Sequence, residues 1–114
     1  TIHRLMADLH DACRGYDCFR VLLEICFDGP RMGDLEIFDL VSRNSAEWRV
    51  QFEDIVVADP AKSLDTVRFV ETIGANRGLS LRILPTIDEA RREMGRRVSA
   101  GAARRARAAD TPLA

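Results

Sequence analysis

Three short runs of branched and apolar residues limit what this chain can fold into. They are CFRVLLEICF (18–27), DIVVA (54–58) within VQFEDIVVAD (50–59), and LSLRIL (79–84). Each has the length and composition of a buried strand, and each is followed by Gly, Pro, Asp or Ser turn chemistry. The segments between them carry helical periodicity instead. Ile2, Leu5, Met6, Leu9 and Cys13 recur at steps of three and four, which predicts a first helix ended by Gly15. Leu35, Phe38 and Val41, with Ile37 and Leu40, predict a second helix through about Arg43. Ser63 reads as the N-cap of a third, with Leu64, Val67, Val70 and Ile73 as its buried stripe and Gly78 as its terminator. Thr86 and Glu89 have capping-box spacing ahead of a fourth helix with Ile87, Ala90, Met94 and Val98 on one face.

The resulting order, α-β-α-β-α-β-α, implies parallel strands joined by right-handed crossovers, an α/β fold with helices packed on a small sheet. Three strands make a thin sheet with edges that need cover. The expectation is one or two further strands before Thr1, or pairing with a second chain as a homodimer.

A chain of 114 residues suits one compact domain, and its hydrophobic (46%) and charged (31%) fractions are those of a folded globular protein. No apolar run approaches the roughly 18 residues needed to span a bilayer, so membrane insertion is not expected. Three cysteines without a CxxC pair point away from a disulfide framework and towards the cytoplasm. Cys26 reads as a buried small hydrophobe. The net charge of −1 conceals an asymmetry. Residues 1–90 hold ten basic and sixteen acidic side chains, whereas residues 91–107 hold seven arginines and one glutamate. The division is therefore a domain at 1–98 and a basic Ala/Arg-rich tail at 99–114; across the biased segment 95–114, Gly95, Gly101 and the lack of large apolar residues argue against packing. The tail has no aromatics for base stacking and the body is acidic, so nucleic acid is not the expected partner.

In an open parallel sheet, ligands gather beyond the carboxyl ends of the strands. Those ends carry DGPRMGD, DPAKS and PT, which places Asp28, Arg31, Asp34, Asp59, Lys62 and Ser63 on one rim. The same residue types are what strand-to-helix turns require. GPRMGD matches neither the dinucleotide nor the phosphate-loop fingerprint. An acidic metal pocket of the receiver kind would need further acids and a late lysine, where Ser80 and Arg82 stand. His3 and His10, seven apart, lack a third ligand and read as solvated positions. No catalytic residue, metal or cofactor is assigned.

The segment FVETIGANRGLSLRILPTIDEARREM (69–94) resembles the closing third of a STAS-type domain of the SpoIIAA-like, STAS/SEC14 bacterial group. Asn76–Arg77–Gly78, Leu81 to Leu84 and Asp88–Glu89–Ala90 carry the resemblance, with DIVVAD (54–59) and FRVLLEI (19–25) similar to the preceding strands. It implies helices against a mixed sheet with N-terminal strands, and a non-enzymatic regulatory module that binds a protein partner. Phospho-regulated members hold a serine where this chain has Gly29 to Asp34, a stretch without serine or threonine, and Glu93–Met94 replaces a common Trp-Leu. The competing expectation is a small-molecule or anion sensor using the rim residues.

Overall fold

The computed structural model describes residues 2–25 and 33–110. Cys26, Asp28 and Arg31 lie outside the described residues. The order is α1 (Ile2–Tyr16), β1 (Arg20–Glu24), α2 (Asp34–Gln51), β2 (Asp54–Ala58), α3 (Leu64–Asn76), β3 (Leu81–Leu84) and α4 (Ile87–Asp110). Among the described residues the sheet is three-stranded and parallel in the order β1-β2-β3, with Arg20 opposite Asp54 and Ile55 opposite Leu81. The α/β class and the element order are those the periodicity predicts.

Two successive crossovers that step in the same direction across the sheet deposit their helices on the same face when both are right-handed. The core follows that rule. Ile37, Val41 and Trp48 of α2 and Val70 and Ile73 of α3 pack with Val21 and Ile55, joined by Met6 and Cys13 of α1. Val56 and Ala58 point the other way, against Ala90 of α4. The central strand is therefore covered on both sides, which is why it reads as an unbroken apolar run rather than an alternation.

Helix ends depart from expectation in two places. Gly15 does not stop α1, which continues to Tyr16 before Asp17 takes the left-handed turn at φ 51°. Aspartate is among the few non-glycine residues that tolerate this conformation. Helix α2 runs eight residues past Arg43, to Gln51. Its inward stripe passes through Asn44 and Ser45, whose side chains are buried by donating to Leu40 O (2.8 Å) and Ser42 O (3.4 Å). The stripe then resumes at Trp48. Elsewhere the caps fall where the sequence puts them. Ser63 Oγ accepts from Thr66 N, Thr86 Oγ1 accepts from Glu89 N, and Gly78 ends α3 with φ 77°.

The amino ends of the strands are tied by ions. The buried Asp54 carboxylate accepts from Arg20 Nε (3.0 Å), Ser80 Oγ (2.7 Å) and Arg97 Nη1 (2.5 Å), so one side chain of β2 holds β1, the entry to β3 and α4. Glu93 braces Arg97 from the same helix at 3.0 Å, and Glu53 takes Arg20 Nη2 at 2.5 Å. The packed face of α4 thus changes character along its length, from Ile87, Ala90 and Met94 to Glu93, Arg97 and Gly101, leaving Val98 exposed. The helix crosses position 99 without a break, and Gly101 is buried because the Arg20 guanidinium lies against it. Packing there needs a small residue, not a large apolar one.

Two predictions follow from this end of the sheet. A methyl group at Gly101 would overlap the Arg20 guanidinium, which is pinned between Asp54 and Glu53. Gly101→Ala should therefore destabilise the fold by about 1–3 kcal/mol. Gly95→Ala, with open space around it, should stabilise by up to about 1 kcal/mol through helix propensity. Denaturant unfolding reads the opposite signs. Secondly, burial pushes the Asp54 carboxyl up, but the hydrogen bonds from Ser80, Arg97 and Arg20 and the Arg97 charge outweigh it and hold it below the ordinary range. A carboxyl lowered by folding stabilises above its unfolded pKa, and that contribution disappears as pH falls through the folded value. Stability should hold from pH 7 to about 5 and decline below about 4; urea midpoints of Asp54→Asn should show a shallower acid slope.

Candidate functional site

Parallel strands bring their carboxyl ends to one edge, and the loops there carry the rim residues. Asp34 is the first residue of α2, entered from Gly33 without a side-chain cap. Asp59 follows β2, is buried, and accepts from Ala61 N at 3.1 Å through Oδ1, closing the turn over Pro60. Ser63 accepts from Thr66 N at 3.2 Å and donates to Thr66 Oγ1 at 3.0 Å. Both side chains are thus engaged in turn and cap geometry. Lys62 is different. It is half-buried and makes no hydrogen bond or ion pair among the described residues.

Lys62 and Asp59 are also the polar members of a cavity that the sequence did not reveal. It holds about 200 Å³, partly open to solvent, between the sheet and α1, α2 and α3. Leu23, Ile25, Val57 and Ile83 supply its sheet side, Ile37, Leu40, Val41 and Trp48 line it from α2, and the rest of the lining among the described residues is likewise apolar. Most of its apolar residues fall on the predicted strands and helices, but Trp48 lies beyond the predicted end of α2. That they fail to fill the core is a matter of volume and angle, which periodicity does not encode.

A second feature lies outside the same helices. Phe38 of α2 and Phe69 of α3 stack with ring centroids 6.1 Å apart and planes 21° from parallel, 38% and 44% exposed. The Arg77 guanidinium carbon sits 5.9 Å from the Phe38 centroid, within cation–π range. Leu35, a turn earlier, is 84% exposed. Of the five apolar residues that predict this helix, Ile37, Leu40 and Val41 turn inward while Leu35 and Phe38 face out. The apolar arc of α2 is wider than one buried stripe requires, and that surplus was the available signal.

No family model, curated protein or solved structure matches this chain. The site must therefore be read from its own chemistry. Among the described residues no group of three or more His, Cys, Asp or Glu side chains converges to hold a metal ion. His10 is not a solvated position but packs near Phe19 and Phe52, with centroids at 6.0 and 5.9 Å. Burial and then the neighbouring Cys18 push the Cys13 thiol up, the opposite of what a nucleophile needs. No helix among the described residues is long and apolar enough to cross a membrane.

The rim residues divide into scaffold and free groups, and substitution should separate them. Ser63→Ala should cost about 1 kcal/mol for the lost cap. Asp59→Ala should cost about 1–3 kcal/mol by removing the acceptor that closes the turn onto Ala61 N. Lys62→Ala should stay within about 0.5 kcal/mol of the parent in urea unfolding.

Proposed function

We propose that this chain is a non-enzymatic, STAS-like interaction module of a bacterial cytoplasmic protein, capturing a protein partner through the outer face of α2 and α3. The observation that carries the proposal is the exposed Phe38–Phe69 stack with Arg77 beside it. Aromatic rings and arginine are the side chains enriched in protein interfaces, and two large rings held half in water lose little entropy on docking. The resemblance of residues 69–94 to STAS-type domains supports the same reading, since the helix after the first central strand is where that fold meets partners. The segment Gly29–Asp34 holds no serine or threonine, so this module binds without a phosphoserine switch there.

The test is affinity capture from the native source with the tagged parent chain, the double variant Phe38→Ser/Phe69→Ser, and a control, Arg91→Ala/Arg92→Ala, on exposed positions of α4. Circular dichroism confirms that each is folded. The parent and control should retain a common partner that the phenylalanine variant holds at least about tenfold more weakly in a purified binding assay. Equal retention by all three would overturn the proposal.

A further inference from the structure

The cavity beneath α2 is a candidate binding site in its own right, independent of the outer helix face. It is larger than the roughly 150 Å³ apolar cavity that admits benzene and smaller than the roughly 300 Å³ at which drug-sized pockets begin. An occupant is therefore about the size of a phenyl ring with a short linker. Among the described residues the lining is apolar except at Asp59 and Lys62, which are where it offers a polar group on the occupant a partner.

The two charged residues at that end are not equivalent. The Asp59 carboxylate is buried and accepts from Ala61 N, so its charge is engaged within the turn. The Lys62 ammonium has no partner among the described residues, although it is half-buried. A lone cation beside an apolar cavity selects an occupant with an anionic end, because pairing relieves the cost of partial burial while the apolar body leaves water. We infer that the cavity binds a small amphiphilic monocarboxylate, its ring or short chain among Leu23, Val41, Trp48 and Val57 and its carboxylate on Lys62. It keeps Lys62 from the polar rim that loop composition suggested, but not Asp59 and Ser63, which the structure commits to a turn and a cap.

The chain provides its own reporter. Trp48 is the single tryptophan, is buried and lines the cavity. Its emission is titrated in the full chain with three near-isosteres: phenylpropionate, phenylpropanol and phenylpropylamine. The acid should give a saturable change with a Kd on the order of a millimolar or tighter, as expected for a ligand of this size. The alcohol should bind about tenfold more weakly and the amine more weakly still. Lys62→Met should reduce the acid to the affinity of the alcohol and leave the alcohol unchanged. Val57→Phe should fill the cavity and abolish the response while thermal unfolding shows a folded chain. If that variant fails to fold, Lys62→Met decides. A chain that responds saturably to none of the three, binds the amine more tightly than the acid, or keeps its preference for the acid after Lys62→Met overturns the inference. Because the titration involves neither Phe38 nor Phe69, its failure leaves the docking reading standing, and the reverse holds.

Discussion

The fold depends on one carboxylate. Asp54 opens the central strand, and its two oxygens are shared among Arg20 of β1, Ser80 before β3 and Arg97 of α4. A buried ion cluster of this kind adds little net stability relative to apolar packing, because the desolvation cost cancels most of the attraction. Its value is in what it forbids. Any register slip of β1 or β3, or any rotation of α4, would strand a buried charge, at a cost of about 3–5 kcal/mol for a broken pair. In a three-stranded parallel sheet, with few ladder bonds to define register, that penalty specifies the arrangement. Arg97 responds in kind: burial lowers its pKa, but Asp54 and Glu93 more than offset this, so the cation persists.

The Asp54 cluster thus gathers at the amino ends, while the carboxyl ends carry the Asp59 turn and Glu24, which is also engaged. Lys62 and the start of α2 lie at the carboxyl end, where open parallel sheets bind ligands, and the cavity extends from there to Ile55 and Leu79 at the amino end. The edges are unequal too. Glu71 of α3 pairs with Arg82 at 3.0 Å and accepts from Ile83 N at 3.4 Å, which covers backbone of the β3 edge with a side chain. Strand β1 pairs with β2 and, among the described residues, with no other strand. If the sheet gains a strand, β1 is the edge that can accept it.

What the sequence disclosed and what it concealed divide along physical lines. The strand at Asp54–Ala58, the Ser63 and Thr86 caps and the Gly78 turn were legible because each depends on residues within a few positions of one another. The second half of α2 was not, because Asn44 and Ser45 break the apolar pattern while satisfying themselves against their own helix. The packing role of Gly101 was hidden because its neighbour, Arg20, is eighty-one residues away. Asp59, Lys62 and Ser63 share one loop, and composition could not tell its turn-builders, Asp59 and Ser63, from Lys62. Residues that recruit one another across the fold leave no periodic trace.

Helix α2 joins the two functional readings. Ile37, Leu40 and Val41 line the cavity from inside, while Leu35 and Phe38 of the same two turns face outward. Coupling between an occupant and a docked partner would need no path through the protein, since both bear on one helix from opposite sides. Its sign and size are constrained by thermodynamics. An occupant changes partner affinity only by as much as its own affinity differs between the positions of α2 that the partner does and does not accept. The far end of α2 is anchored by Trp48 and Phe52 in the core, and its first turn, entered from Gly33, sets Ile37 beside Phe38. An occupant that displaces Ile37 therefore acts one residue away from the ring that the partner would grip.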